Sequence, residues 1–381
     1  MLSKEHEDFR RWVRGFAEKE VAPYAAEIDE SEELRRETLE KMGKVGLLGL
    51  SIAEEYGGCG DTICYSIGVE EVSRVCASTG ITLAAHISLG SYPIHLFGND
   101  EQKRKYLVPL ARGEKIGAFG LTEPEAGSDA GATRTTAVLD GDGWVINGTK
   151  CFITNGSIAD VIVISALTDK GRGTKGISSF IIEKDSPGFS PGKEEMKMGL
   201  RGSVTSELVF EDCRIPKENL LGEHGNGYRQ MLTILDGGRI SIGAMALGIA
   251  QGAFEASVKY SKERVQFSKP IGEFQAIQWM LADMATEIEA ARLLVYNASR
   301  LKDEKRRYVK EAAMCKLFAS EAAMRATTNA IQIHGGYGYM RDRPIERLFR
   351  DAKLTEIGEG TSEIQRLVIA REIMKDEIGR D

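Results

Sequence analysis

The chain has 381 residues, 42% apolar and 28% charged, and 50 Lys+Arg against 57 Asp+Glu leave a net charge of −7. That length predicts two or three domain equivalents, with cores large enough to need no disulfide or metal staple. A mildly acidic balance excludes a non-specific nucleic-acid binder, which requires a concentrated basic face.

From residue 1 to about 115 the pattern is helical. Phe9, Trp12, Val13, Phe16 and Ala17 recur at helical spacing, and Leu34, Leu39, Met42 and Val45 suggest a second helix. Gly57, Gly58 and Gly60 break the pattern, and 76–98 is apolar with no Lys, Arg, Asp or Glu. From 116 to 232 the period shortens. Val138-Leu139, Asp140-Gly141-Asp142-Gly143 and Trp144-Val145-Ile146 predict a hairpin. The stretches 161–164, 177–182 and 208–210 predict buried strands. From 233 to 381 the helical period returns, with stripes over 242–253 and 274–295 and a last short helix over 364–373. The expectation is an α+β fold: an N-terminal all-α domain (1–115), a middle β-barrel or sandwich domain (116–232) and a C-terminal four-helix-bundle domain (233–381). Helices, strands and helices follow one another without βαβ alternation, which disfavours a Rossmann sheet.

No apolar run approaches the ~20 residues of a membrane span. The charged start MLSKEHEDFRRW predicts neither a secretory leader nor a transit segment. Histidines 6, 86, 95, 224 and 334 have no ligand spacing, so no metal is expected. Cys59 and Cys64 have an iron–sulfur-like spacing, but no third or fourth cysteine follows nearby. The six cysteines read as reduced thiols of a cytoplasmic protein.

Four glycine-rich clusters bear on chemistry. Gly171, Gly173 and Gly176 match a dinucleotide fingerprint, but an apolar strand follows where a helix is required, so a hairpin loop is the expectation. The segment 120–131 packs hydroxyls and small residues around acids, and reads either as an anion-binding loop or as a surface turn. The segment 332–339 has glycines that permit close approach to a ligand, followed by Arg341, Arg343, Arg347 and Arg350. In 356–363, Glu359 stands between two glycines, accessible as a general base would be, although a plain helix N-terminus explains the same residues.

In this order and spacing the clusters resemble the acyl-CoA dehydrogenase family over about residues 5–375. The specific segments are GLTEPEAGSDAGA (120–132), QIHGGYGYMRDRPIERLFRDAK (332–353) and TEIGEGTSEIQRLVIAR (355–371). The resemblance implies an FAD enzyme that oxidises an acyl-CoA thioester between Cα and Cβ. A carboxylate takes the α-proton while the β-hydrogen leaves as hydride to flavin N5. A weakly acidic α-proton calls for a base of raised pKa in a water-excluded slot, and for a polarised thioester oxygen.

Carried over residue by residue, Glu359 matches the base, and its backbone N–H would polarise the thioester with Gly360 beside it. Some members place the base immediately before an Arg on an earlier helix, and that position is Gly238 here. Asp236, Arg239, Ser128 and Arg371 match positions at the CoA portion. Phe119, Leu121, Thr122, Phe152 and Thr154 match the strands that hold the isoalloxazine ring. Ser128 also matches a residue near the flavin pyrophosphate. Arg264, Gln266, Phe274, Gln275, Gln332, Gly335 and Gly336 match segments that bind the adenosine diphosphate of a neighbouring subunit's FAD. Thr361 and Glu363 match the FAD-facing stretch after the base.

The resemblance further implies a homotetramer that passes electrons to an electron-transfer flavoprotein. A compact oxidase using O₂ and an inactive flavin-binding scaffold are the alternatives. Gly358 replaces a Tyr common before the base, which predicts an enlarged slot for a branched or cyclic acyl group such as cyclohexanecarboxyl-CoA. The alternative is that a neighbouring side chain fills the gap and the substrate is a straight short chain such as butyryl-CoA. The uncharged stretch 76–98 disfavours a dicarboxyl substrate.

Overall fold

The computed structural model describes residues 2–378. α1 (Lys4–Glu20) opens on a capping box: Ser3 Oγ accepts from His6 N, and the His6 ring accepts from Ser3 N. Val13 and Ala17 are buried and Phe9 and Phe16 partly so, but Trp12 stays exposed, so the expected stripe meets the core along one edge only. α2 (Ala25–Ser31) was not anticipated; its seven residues are too few to show a period. α3 (Arg36–Lys44) buries Leu39 and Met42, as the pattern requires. α4 (Thr62–Val75) is capped by Asp61, and α5 (Ala77–Ala85) follows. A π-helical stretch, His86–Ser91, leads into α6 (Tyr92–Phe97), and the short helices α7 (Asp100–Gln102) and α8 (Val108–Ala111) end the unit.

The middle third is one eight-stranded sheet: β1 (Gly117–Gly120), β2 (Thr136–Asp140), β3 (Gly143–Thr154), β4 (Val161–Leu167), β5 (Ile177–Glu183), β6 (Phe189–Glu194), β7 (Thr205–Pro216) and β8 (Leu220–Leu221). Strand order is β6-β7-β3-β2-β4-β5-β8, with β1 parallel to β4. β2 and β3 form the expected hairpin around Gly141-Asp142. β2 meets β4 through a single register pair, Thr136 with Leu167, which divides the sheet into two halves. Trp144, Ile146, Leu208 and Phe210 of one half pack with Ile162, Ile164, Phe180 and Ile182 of the other. On the opposite face of β4 and β5, Val161, Val163 and Ile181 pack against Tyr106, Leu107, Leu110, Met231 and Ile234. Burial on both faces explains why these strands read as unbroken apolar runs rather than as an alternation. Gly171, Gly173 and Gly176 lie in a 3₁₀ turn that runs straight into β5, so no helix follows them.

The last third holds α9 (Gly227–Glu263), a two-strand ribbon of β9 (Val265–Gln266) and β10 (Lys269–Pro270), then α10 (Gln275–Asp303), α11 (Val309–His334), α12 (Ile345–Thr355) and α13 (Ser362–Ile378). α9 begins at Gly227, so a boundary drawn at 232/233 falls inside it. By length and composition α9 is apolar enough to cross a membrane, which the sequence reading did not anticipate, but 78% of that window is buried within the fold.

The two helical units share one core. Tyr65, Ile67, Val69 and Val72 of α4 belong to the same cluster as Ile242, Met245, Ala246 and Ile249 of α9 and Val295 of α10. Buried charges tie the same elements together. Glu70 accepts from Arg292 at 3.1 Å and from Arg10 at 3.4 Å; Glu71 accepts from Arg14 at 2.9 Å; Arg74 reaches Glu255 at 2.8 Å and Glu18 at 3.0 Å. Carboxylates this deep require such partners, because an unpaired buried charge is destabilising by several kcal/mol.

Contact between α4 and α9 depends on Gly248, where an added Cβ would lie 2.2 Å from Glu70 O. We expect Gly248→Ala to lower stability by about 1–3 kcal/mol through overpacking, despite alanine's better helix propensity. Thermal melting of the holoenzyme checks this, and an unchanged or raised Tm would show that the two helices can separate freely.

Candidate active site

Glu359 lies in the turn between α12 and α13, and its φ of 53° is in the left-handed region that non-glycine residues seldom occupy. Two buried side chains hold this backbone. Lys316 of α11 donates to Gly360 O. Gln365 Nε2 donates to Gly360 O at 2.9 Å and to Glu359 O at 3.4 Å. Thr361 Oγ1 accepts from Ile364 N at 3.4 Å, beginning α13, and Glu363 stays exposed in its first turn.

The Glu359 carboxylate points at α9. Its Oε2 is buried and has no hydrogen-bond partner. A Cβ on Gly238 would lie 1.9 Å from that oxygen and 3.6 Å from Leu89 Cδ2. The glutamate thus occupies the space a side chain at 238 would fill, and Leu89 closes the same spot. Burial raises Glu359 to about 7, against the opposing charges of Lys316 and Arg239. Burial also lowers Lys316 to about 8, so it remains largely cationic at neutral pH.

Next to Gly238 on α9, Arg239 is buried and pairs with Asp236 one turn back. Burial raises the Asp236 carboxyl, with Arg239 opposing; Glu372 raises it further and Arg371 opposes it, so the start of α9 and the end of α13 share one electrostatic neighbourhood. Arg371 itself is exposed.

The proposed flavin strands do meet. Phe119 ends buried on β1, and Leu121 and Thr122 continue from it; Cys151 N donates to Thr122 O at 2.9 Å. The pairing of β3 with β7 shifts between Lys150 and Ile153, and Phe152, with φ 59°, is turned outward and 65% exposed beside half-buried Thr154. A large bare aromatic flanked by threonine hydroxyls fits the face and polar edge of a planar ring system. Ser128 is exposed on the loop that follows. That loop is pinned by Glu123, which accepts from Lys150 Nζ and Arg134 N, both at 2.6 Å, and from Thr133. Burial alone would raise the Glu123 carboxyl, but Lys150 and these donors bring it down to about 2.

The remaining cofactor candidates divide. Arg264, Gln266, Gly335 and Gly336 line one open cleft of about 490 Å³, with Tyr260, His334 and Tyr337. Phe274, Gln275 and Gln332 are not among its lining residues. Phe274 instead packs edge-on against Phe267, 90% exposed at the tip of the β9–β10 ribbon. The donors Arg264 and Gln266 beside glycine backbone suit an adenosine diphosphate.

Sequence reasoning missed Lys316, Gln365 and Leu89. Lys316 had a signal: it interrupts the buried face of Ala312, Ala313, Cys315 and Ala319, where a lone cation calls for a partner. Within the uncharged stretch 76–98, the polar side chains His86 and Ser91 are structural. His86 accepts from Gly117 N and donates to Leu110 O, and Ser91 bonds His86 O. Ser88 reaches Ser241 at 3.5 Å.

The Gly238 seat yields a prediction. Gly238→Ala should push the mobile end of Glu359 aside, slowing flavin reduction by substrate while FAD content and Tm stay near wild type. Unchanged reduction kinetics would show that the carboxylate does not act from this seat.

The sequence matches the family models for the acyl-CoA dehydrogenase N-terminal domain over residues 3–114, the middle domain over 118–213 and the C-terminal domain over 225–374. It is 56% identical over 375 residues to a short-chain specific acyl-CoA dehydrogenase of Clostridium acetobutylicum, covering 98% of this chain and 99% of the relative. Among solved structures it resembles the butyryl-CoA dehydrogenase of Megasphaera elsdenii, with a TM-score of 0.96 and 46% identity over 98% of this chain and 99% of the other. A structure described as the electron transferring flavoprotein of Acidaminococcus fermentans, in work on flavin-based electron bifurcation, matches with a TM-score of 0.97 and 53% identity over 98% of both chains. A buried, unpartnered carboxylate, a bare aromatic beside two threonines and three consecutive domain matches agree: the chain belongs to the acyl-CoA dehydrogenase family of FAD-dependent oxidoreductases.

Proposed function

We propose that this enzyme oxidises a straight, short-chain acyl-CoA of butyryl size to the 2-enoyl-CoA. The observation that carries the reaction is Glu359 Oε2, a buried carboxylate oxygen without a hydrogen-bond partner. The chain length rests on the similarity to short-chain and butyryl-CoA dehydrogenases. This corrects the expectation of a branched or cyclic acyl group, which those relatives do not support. At Gly358 an added Cβ would make ordinary contacts with Leu354 at 3.5 Å, so the leucine borders that position.

FAD, when bound, accepts the β-hydrogen as hydride. Phe119, Leu121, Thr122, Phe152 and Thr154 would hold its ring end, and Ser128 would lie near its pyrophosphate and the CoA. Arg264, Gln266, Gly335 and Gly336, with Phe274, Gln275 and Gln332, serve the adenosine end across a subunit boundary. Thr361 and Glu363 border it after the base. Glu359 takes the α-proton, its backbone N–H polarises the thioester oxygen beside Gly360, and Asp236, Arg239 and Arg371 receive the CoA portion.

A homotetramer fits the exposed Phe267, Trp279, Leu293, Leu367 and Met374 on the C-terminal helices and ribbon. An electron-transfer flavoprotein is the proposed acceptor. Six free cysteines fit a reducing cytoplasm. A domain limit at 115/116 belongs to the same proposal, supported by the change from helices to strands, while the change back supports a second limit before α9 at Gly227 rather than at 232/233.

Four outcomes test this reading. In anaerobic mixing, butyryl-CoA should bleach the flavin faster than isobutyryl- or cyclohexanecarboxyl-CoA, and the reverse order would overturn the chain-length assignment. Glu359→Gln should keep FAD and slow bleaching by roughly 10²–10⁴-fold or more; near-normal bleaching would remove Glu359 as base. A protonated Glu359 cannot accept the α-proton, so the rate should rise with pH through about 7. Lys316→Met removes a charge that favours the carboxylate, and should move that midpoint upward. A uniform loss at every pH, with no shift, would mean that Lys316 only supports the turn.

A further inference from the structure

Away from the flavin site, three segments distant in sequence converge at the outer end of α4. His6 comes from the first turn of α1, Cys59 from the glycine-rich loop before α4, and Asp61 and Cys64 from the cap and first turn of α4. The ligand atoms of His6, Asp61 and Cys64 all lie within 4.8 Å of one another. His6 Nε2 is 2.9 Å from Asp61 Oδ2. Cys59 lies beside Cys64, its thiol donating to Leu50 O at 2.8 Å.

We propose that His6, Asp61, Cys64 and Cys59 bind one zinc ion, or a similar borderline-soft divalent cation, as a structural clip between α1 and α4. One imidazole, one carboxylate and two thiols are the donor types that zinc takes in closed tetrahedral sites. Zn–S and Zn–N distances of about 2.3 and 2.0 Å set tetrahedral edges near 3.3–3.8 Å, so His6, Asp61 and Cys64 must close in by roughly an ångström and Cys59 must leave Leu50 O to join them. Binding releases the thiol protons and replaces the contact between His6 and Asp61. Outer partners suit this exchange. Ser3 Oγ lies 3.2 Å from His6 Nδ1 and can accept its proton once Nε2 turns to the metal, in exchange for the bond Nδ1 now accepts from Ser3 N. Asp61 Oδ1 is held by Cys64 N at 2.7 Å. The Asp303 carboxylate, on Thr62 N at 3.0 Å, adds negative charge against the positive end of α4.

His6 is far from the other donors in sequence, which is why ligand spacing gave no sign of a site. None of the four residues is assigned to the base, the flavin or CoA, so the clip acts on stability rather than chemistry. It would fasten the helix whose Arg10 and Arg14 reach the buried Glu70 and Glu71.

The test uses reduced holoenzyme, chelated and then titrated with Co²⁺ or Zn²⁺. One cobalt per chain should bind and develop the visible bands of a tetrahedral thiolate site, at wavelengths where oxidised flavin is transparent. Zinc should displace it and raise Tm, while turnover stays unchanged. Cys64→Ser and His6→Ala, each retaining FAD and turnover, should lose the cobalt bands and the zinc-dependent rise in Tm. Absence of those bands in wild type, their survival in both variants, or a Cys59–Cys64 disulfide that persists under reductant would overturn the proposal.

Discussion

The withdrawal of one carboxylate from water organises this protein. Glu359 Oε2 is buried with no hydrogen-bond partner, which an ordinary surface glutamate would never tolerate. The cost is borne because the turn that presents it is over-determined: Lys316 and Gln365 hold its carbonyls, while two helices fix the turn's ends. Positive charge close by, from Lys316 and Arg239, limits how far burial raises the group. The result is a carboxylate near neutrality rather than a permanently protonated one, which suits the removal of a weakly acidic proton.

That arrangement requires α9. The helix supplies a position without a side chain at Gly238 and a buried cation at Arg239, and its other faces pack into the shared helical core. The N-terminal helices are therefore not a separate body. Their charges Glu70, Glu71 and Arg74 are neutralised by residues of α1, α9 and α10, so both helical units support the same site. The sheet plays a different part. Its two halves close on each other through one core, leaving the bulged end of β3 free to present Phe152 outward. The Glu123–Lys150 pair beneath fastens the adjoining loop.

The broad architecture was legible because its periods are strong. The hairpin at Gly141-Asp142, the runs that became β4 and β5, and the stripes of α9 and α10 all appear where patterning put them. The rejection of a nucleotide fingerprint at Gly171 also held, since a strand buried on both faces, and not a helix, follows it. α2 was illegible because it is short, and the exposure of Trp12 because a stripe shows amphipathicity without showing how wide its partner is.

The sequence by itself determined the kind of chemistry: a glutamate between glycines, in segments specific enough to name a family, with FAD as its cofactor. It also determined which stretches are helix and which are strand, since period reports local burial directly. Only the tertiary structure decided the environment of each group. That Glu359 faces Gly238, that Lys316 lies beneath the turn, that Leu354 borders Gly358 and that His6 meets Cys64 are all contacts between distant segments. Periodicity carries no information about such pairs, because it records which side of an element is buried and not what buries it.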